Sequence, residues 1–186
     1  MNANIWQGQK VRLRAVEPED WQEYMLWHQD TEADRRSYFI PFPVSKEWMK
    51  TRLAKDAVAE PKNDLYHFQI ETLEGELVGT INSTNCDLRH GRFGYGLGIK
   101  RDTRRKGYAS EAIILLLNFF FFERRYQKVT VTVYSFNEPS IKLHEKLGFQ
   151  QEGRLRRMIY TDGQYHDELI FGMTIEEFKA LHGNHK

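Results

Sequence analysis

An apolar run at Ala112–Phe122 (AIILLLNFFFF) constrains the fold more than any other feature of the chain. Asn118 alone interrupts the run, and charged residues at 123–125 end it well short of the ~20 apolar residues that cross a bilayer. A helix that is apolar on all sides must be covered on most of them. The run therefore predicts a buried core helix that lies against the sheet of an α/β domain.

The length and composition indicate one folded domain over residues 1–186. A chain of 186 residues and 22.1 kDa is near the size of a single core, and a second independent domain would leave each half poorly buried. Hydrophobic residues make up 40% of the chain, with 12 Phe, 9 Tyr and 4 Trp, which is too apolar for an intrinsically disordered protein.

The charge balance argues against a general nucleic-acid binder. The chain has 27 Lys and Arg residues and 26 Asp and Glu residues, which leaves a formal charge of +1. Non-specific binding to nucleic acid needs a basic field over much of the molecule. Any charged site must therefore be local, and we do not expect a nucleic-acid partner.

Cysteine usage and the amino-terminal residues predict a cytoplasmic protein. Cys86 is the single cysteine, so the chain has no pair for an intramolecular disulfide and lacks the cysteine cluster of a zinc site. The segment Met1–Lys10 has no apolar core of the signal-peptide type. The histidines lack H-E-x-x-H spacing, so we predict no metal. Because the apolar run is too short to cross a bilayer, we also predict no membrane partner.

Periodicity and turn residues predict a mixed sheet with about four helices. The first predicted helix begins near Glu17. The others cover Ser45–Ala59, Ala112–Phe122 and Asn137–Leu147, and a final helical turn lies near Ile175–Leu181. The strands cover Lys10–Ala15, Tyr66–Thr72, Glu76–Asn82, Gly91–Lys100, Lys128–Tyr134, Gly153–Tyr160 and Gln164–Thr174. The order strand, helix, strand around the apolar helix predicts a right-handed crossover between parallel neighbours, and the other strands are expected to pair antiparallel.

The segment Arg101–Ala112, between a predicted strand and the apolar helix, is the best candidate for a binding site. Gly107 and the small Ala109 allow backbone N–H groups at the helix start to point outward, where the helix dipole favours an anion. The side-chain cations at the rim are Arg104, Arg105 and Lys106. A pyrophosphate group would fit such a loop, and a basic, solvated turn is the alternative. The Walker and Rossmann glycine patterns are both absent.

Two motifs resemble those of the GNAT N-acetyltransferase superfamily. Arg104–Ala109 (RRKGYA) is similar to its acetyl-CoA signature [QR]-x-x-G-x-[GA], and Asn137–Phe149 (NEPSIKLHEKLGF) is similar to its Asn-initiated helix ending in K-x-G-F. One helix and one β-branched strand separate the motifs, as in the family. The resemblance extends from Arg12 to Asp167 and is closest to the branch of ribosomal-protein N-terminal acetyltransferases and spermidine acetyltransferases.

The resemblance implies a GNAT-like α/β fold with a mostly antiparallel sheet and a parallel crossover at the cofactor site. It also implies direct transfer of the acetyl group from acetyl-CoA, within a ternary complex, to a primary amine. The acceptor would be a protein N-terminus, a polyamine or another small amine. The implied cofactor-binding residues are Leu97, Gly98 and Ile99 for the pantetheine arm, Arg104, Arg105, Lys106, Gly107, Tyr108 and Ala109 for the pyrophosphate, and Asn137 for the pantetheine or acetyl end.

The chain departs from the family at two catalytic positions. Many relatives carry a tyrosine, the acid for the departing thiolate, where this chain has His144. An imidazolium with an ordinary pKa of ~6.5 is a competent donor. His144 lies on the inward face of its helix, however, where a histidine is more often a hydrogen-bonded core residue than a catalyst. The glutamate that serves many relatives as a base is replaced by Gly94. Glu71, Asp87 and Tyr95 are the substitute bases considered.

Other interpretations remain open from the sequence. The missing carboxylate and the Tyr-to-His exchange favour a non-catalytic CoA-binding module as the second hypothesis, and an RNA- or ribosome-associated protein is the third. The aromatic loop Tyr38–Phe42 either walls an acceptor pocket, packs over the core edge or forms a homodimer contact.

Overall fold

The structure is a computed structural model that describes residues 4–37 and 39–183. The described residues form two compact units. The first contains the chain up to Ser83 together with Gly96–Leu115, and the second contains Thr84–Tyr95 together with the chain from Leu116 onward. The one-domain organisation expected from length and composition stays a prediction.

The described strands form a seven-stranded sheet in the order β1-β2-β3-β4-β5-β7-β6. Their bounds are Val11–Arg14 (β1), His67–Thr72 (β2), Leu77–Asp87 (β3), Arg92–Ile99 (β4), Lys128–Tyr134 (β5), Gln150–Thr161 (β6) and Gln164–Thr174 (β7). The pairs β1–β2, β2–β3, β5–β7 and β6–β7 are antiparallel, whereas β4 and β5 are parallel. The predicted mixed sheet with a parallel crossover is confirmed.

Six α-helices lie within residues 4–37 and 39–183, where the sequence predicts about four. Their bounds are Trp21–Trp27 (α1), Thr31–Ser37 (α2), Lys46–Ala57 (α3), Tyr108–Asn118 (α4), Glu138–Leu147 (α5) and Ile175–His182 (α6). The unpredicted helix is α2. Its sequence, TEADRRS, carries no apolar stripe from which a helix could be predicted, and none of its residues is buried.

Polar caps and a left-handed glycine set the ends of the predicted helices. The Ser45 hydroxyl accepts a hydrogen bond from the Trp48 amide at the start of α3, as the sequence predicts. Asn137 caps α5, which ends at Gly148 in the left-handed conformation. The predicted irregular loop is confirmed at residues 39–43, and Tyr38 lies outside the described residues.

A buried core cluster of the first unit joins the helices α1 and α3 to the segment that follows β1. Buried members of this core are Val16, Tyr24, Met49 and Leu53. On the same unit, Glu71 of β2 forms ion pairs with Arg12 and Arg14 of β1, and Arg14 also pairs with Asp20. The apolar packing and these cross-strand ion pairs join β1 to the sheet and to the segment that leads into α1.

The phenylalanine-rich end of the apolar run supplies much of the second unit's core. The α-helix ends at Asn118, and a π-helical turn at Phe119–Glu123 continues it, so the predicted single helix over Ala112–Phe122 is wrong in its last turn. The wider turn buries Phe120 and Phe121. Phe120 stacks on Phe93 of β4 with ring centroids 4.3 Å apart. The predicted burial of the run is confirmed, and no described helix has the length and apolar character needed to span a membrane.

The strands β3 and β4 approach each other closely at Gly79, so adding one methyl group there is expected to destabilise the protein. A Cβ atom at Gly79 of β3 would overlap the Gly98 carbonyl oxygen of β4 and lie 2.8 Å from the Ile99 Cδ1 atom. We expect Gly79→Ala to lower the free energy of unfolding by about 1–3 kcal/mol, because the strands must separate. The measurement is the midpoint of urea unfolding, monitored by circular dichroism. Gly153→Ala is the control, since its nearest new neighbour lies 3.4 Å away. Equal midpoints for the two variants would contradict the prediction.

Candidate active site

The segment between β4 and α4 has the backbone of a ligand-binding loop. A short 3-10 turn at Arg101–Thr103 leads into Arg104–Gly107, and α4 begins at Tyr108. Two residues of the loop are left-handed, Arg105 with a φ of 64° and Gly107 with a φ of 90°. Glycine adopts this conformation without steric cost, so Gly107 allows the chain to turn sharply just before the helix starts.

Several backbone amides at the start of α4 are available to a ligand. Within residues 4–37 and 39–183, the amides of Lys106, Gly107, Tyr108 and Ala109 have no hydrogen-bond acceptor, and Lys106 and Gly107 are exposed. The first amides of any helix lack intrahelical partners and lie at the positive end of its dipole. This combination fits the diphosphate of a nucleotide-type carrier.

The basic side chains of the loop have different surroundings. The Arg104 Nε atom donates to the Ile99 carbonyl oxygen at 3.1 Å, and partial burial lowers the pKa of this guanidinium. Arg105 and Lys106 are exposed, as expected for cations at the rim. Arg101 forms an ion pair with Asp30, which lies between α1 and α2. Arg104 therefore braces the loop against the end of β4, whereas the next two cations are open to solvent.

One carboxylate that the sequence analysis did not single out fastens the start of α4 to the amino-terminal strand. Glu111 accepts hydrogen bonds from the amides of Gln9, Lys10 and Val11, each at 2.8 Å. A Cβ atom at Gly8 would overlap the same carboxylate. Because these contacts join residues about a hundred positions apart, no local sequence pattern reveals them.

The strand that leads to the loop presents glycines to its neighbour β3. A Cβ atom at Gly96 would lie 2.8 Å from the Asn82 Oδ1 atom, and one at Gly98 would lie 3.6 Å from the Thr80 Cγ2 atom. Leu97, Gly98 and Ile99 are all partly exposed. In the second unit, the ladder between β4 and β5 ends after Phe93 pairs with Val129. The short ladder indicates that the two strands pair only near the start of β4.

His144 of α5 is buried and makes two short polar contacts. Its Nδ1 atom lies 2.7 Å from the Ser140 carbonyl oxygen, and its Nε2 atom lies 2.9 Å from the Tyr95 hydroxyl oxygen. A carbonyl oxygen only accepts, so Nδ1 carries the proton, and in the neutral ring Nε2 accepts from Tyr95. Burial lowers the pKa of His144 and raises that of Tyr95.

The surroundings of His144 are therefore those of a hydrogen-bonded core histidine, which is the alternative to the catalytic interpretation. Only 4% of the residue is exposed, and its ring packs against Phe149 and Phe171. Asn137, at the start of the same helix, accepts a long hydrogen bond from the Ser140 amide at 3.4 Å. The catalytic role of His144 and the cofactor contact of Asn137 stay predictions.

The three substitute bases are poorly suited to accept a proton. Hydrogen bonds from Arg14 and Arg12 outweigh the opposing effect of burial on Glu71 and lower its pKa. The His90 side chain and amide lower the pKa of Asp87 to about 2. A tyrosine is already protonated at neutral pH, and burial raises the pKa of Tyr95 further. Within the described ranges, no three or more His, Cys, Asp or Glu side chains are placed to hold a metal ion.

Comparison with known proteins decides the family. The model of the acetyltransferase (GNAT) domain matches residues 10–150, a span that includes both motifs. The chain belongs to the GNAT acetyltransferases. The fold, the enzyme class and acetyl-CoA as co-substrate, all implied by the resemblance, are confirmed at the level of this family.

Individual relatives are similar over almost the whole chain. The prophage-derived N-acetyltransferase YokL of Bacillus subtilis, itself uncharacterized, is 43% identical over 187 residues, which is 98% of this chain and 100% of YokL. The B. subtilis protein YdaF, provisionally named a ribosomal N-acetyltransferase, is 23% identical over 93% of this chain and 96% of its own length. The Vibrio cholerae spermidine N-acetyltransferase, solved with CoA and spermine, superposes with a TM-score of 0.80 at 20% identity, over 92% of this chain and 99% of that one.

Proposed function

We propose that this acetyltransferase acts on a primary amine that attacks acetyl-CoA directly in a ternary complex. The observation that carries the proposal is the row of amides at Lys106–Ala109, which have no acceptor among the described residues and lie at the amino end of α4. These amides and that of Arg105 hold the diphosphate of the carrier. The Arg104 amide already donates to the Arg101 carbonyl oxygen at 3.4 Å, so Arg104 contributes through its guanidinium. Left-handed Gly107 allows the phosphate to approach the backbone closely.

The remaining cofactor contacts follow from the strand and helix that carry the motifs. The main chain of Leu97, Gly98 and Ile99 receives the pantetheine arm, and Asn137 contacts the pantetheine or acetyl end. The partly exposed end of β4 supports the first assignment, because exposed strand groups can pair with an extended ligand. The position of Asn137 at the first residue of the second motif supports the other.

His144 supplies the proton that the departing thiolate takes up. Its place in the Asn-initiated helix and its contact with Tyr95 support this role. The neutral ring has a single N–H, on Nδ1, and it donates to the Ser140 carbonyl oxygen, so the neutral ring has no proton to give. The donor is therefore the imidazolium, with its second proton on Nε2, beside the Tyr95 hydroxyl. The amine loses its own proton to water, because the carboxylates considered as bases have other partners: Glu71 pairs with two arginines and Asp87 with His90.

The acceptor is a protein N-terminus, a polyamine or another small amine. The names of YdaF and of the V. cholerae spermidine acetyltransferase support the first two classes. Phe42, which is 91% exposed, and Trp48, which is 50% exposed, are available to contact an acceptor or a second copy in a homodimer. We place the enzyme in the cytoplasm because Cys86 is its single cysteine.

The activity is tested with purified protein, acetyl-CoA and a panel of spermidine, spermine, amino acids and amino-terminal peptides. Release of free thiol and the mass of the acetylated product are the measurements. We expect acetylation of at least one amine class. Complete inactivity towards the whole panel, together with intact CoA binding, would instead favour the non-catalytic CoA-binding module.

Gly107→Val tests the phosphate loop. The β-branched side chain is strained at a φ of 90° and blocks the approach of phosphate, so we expect loss of measurable CoA binding by calorimetry. Gly163→Val is the matched control, because Gly163 is also left-handed, with a φ of 73°, and a Cβ atom there would contact nothing within 4 Å. Normal CoA affinity in Gly107→Val would refute the loop as the diphosphate site.

His144→Phe tests the proton donor. We expect turnover to fall ~10²-fold or more with CoA affinity retained, the typical effect of losing a general acid. In the unmodified enzyme, turnover should fall as pH rises through the lowered pKa of His144, because the imidazolium is lost, and the variant should lack this fall. Tyr95→Phe, which removes the same hydrogen bond but keeps the imidazole, should lose less activity. Unchanged turnover in His144→Phe would assign the residue to core packing.

A further inference from the structure

Lys10 reaches the proposed phosphate loop from the opposite end of the sequence. Its Nζ atom donates a hydrogen bond to the Lys106 carbonyl oxygen at 3.0 Å. The same atom would lie 3.0 Å from a Cβ atom at Gly107, so the ammonium is next to the residue that opens the loop. An ammonium has three donors, and the Lys106 carbonyl occupies one of them.

The charge of Lys10 is not neutralised by a neighbouring acid. Within residues 4–37 and 39–183, Lys10 forms no ion pair, although Arg101 pairs with Asp30, and Lys100 lies within 4.0 Å of three acidic side chains. The carboxylate of Glu111 is engaged by backbone amides, including that of Lys10 itself. The side chain is exposed and has room to adjust towards a ligand.

The position of this cation is electrostatically unfavourable in the protein by itself. The amino end of a helix carries partial positive charge, and a lysine there is repelled by the unpaired amides and by the dipole. An anion bound to the loop reverses the sign of this interaction, because it attracts both the amides and the ammonium. The arrangement is therefore most favourable when phosphate is present.

We propose that Lys10 is a further binding residue for the diphosphate of acetyl-CoA and that Glu111 is its positioning residue. The proposal rests on the proposed function, since it takes the loop as the diphosphate site. The amides of the loop fix the orientation of the phosphates, and the ammonium adds a mobile point charge on one side of them. Glu111 acts indirectly, because its three amide contacts determine where the Lys10 backbone lies.

The proposal separates binding of the phosphates from binding of the rest of the carrier. Lys10→Met should weaken CoA binding about tenfold or more, the usual effect of losing one hydrogen bond to a charged group. Binding of pantetheine, which lacks phosphate, should be unchanged. Lys10→Arg should retain most of the CoA affinity. The KM for acetyl-CoA should rise in Lys10→Met, whereas kcat at saturation should not change.

Calorimetry with CoA and with pantetheine tests these expectations on the full chain at two salt concentrations. Lys55→Met is the matched control, an exposed lysine on α3 without an ion pair among the described residues. CoA affinity should depend less steeply on salt in Lys10→Met than in the unmodified protein. Glu111→Gln should show the same reduced salt dependence if it positions Lys10, and thermal unfolding of each variant verifies that it is folded.

The outcomes distinguish the two proposals. If folded Lys10→Met binds CoA as tightly as the unmodified protein while Gly107→Val does not bind, the role of Lys10 is overturned and the assignment of the phosphate loop stands. An equal loss of CoA and pantetheine binding in Lys10→Met would also overturn it, since the effect would not depend on phosphate. Failure of the unmodified protein to bind CoA, or normal binding by Gly107→Val, would instead overturn the loop assignment in the proposed function.

Discussion

Burial of the apolar helix α4 holds the amino end of that helix in a fixed place, and the proposed cofactor site depends on it. Ala112, Ile113, Leu116 and Leu117 are almost completely inaccessible to solvent. Burying each of the isoleucine and leucine side chains is worth about 1.5–3 kcal/mol, more than a typical hydrogen bond contributes. The amides at the helix start are therefore rigidly oriented before any ligand arrives, which is the condition under which dipoles stabilise charge efficiently.

The sequence predicts elements well where one local pattern determines them. Strand β5, Lys128–Tyr134, has the predicted bounds because an unbroken run of β-branched residues forms it. The helix after Asn137 is equally well marked by its cap and by Gly148. In contrast, α2 lacks an apolar stripe, and the π-helical turn depends on how Phe120 and Phe121 fit among other rings.

The candidate site divides in the same way. The loop at Arg104–Ala109 is visible in the sequence, because a glycine, cations and a following helix occur together. The contacts of Glu111 with residues 9–11 and of Lys10 with Lys106 are not visible, because they join distant parts of the chain. For His144, the inward position on the helix is predictable, whereas its pairing with Tyr95 and the resulting choice of tautomer require the structure.

The link between Glu111 and the amino-terminal strand has a consequence for how the enzyme is assembled during synthesis. A ribosome makes residues 9–11 early, and they wait without their carboxylate partner until the first turn of α4 has emerged. The amides of residues 9–11 thus gain their carboxylate partner only after about a hundred further residues have been made. The winding of a single helical turn therefore both docks residues 9–11 and orients the row of amides at Lys106–Ala109.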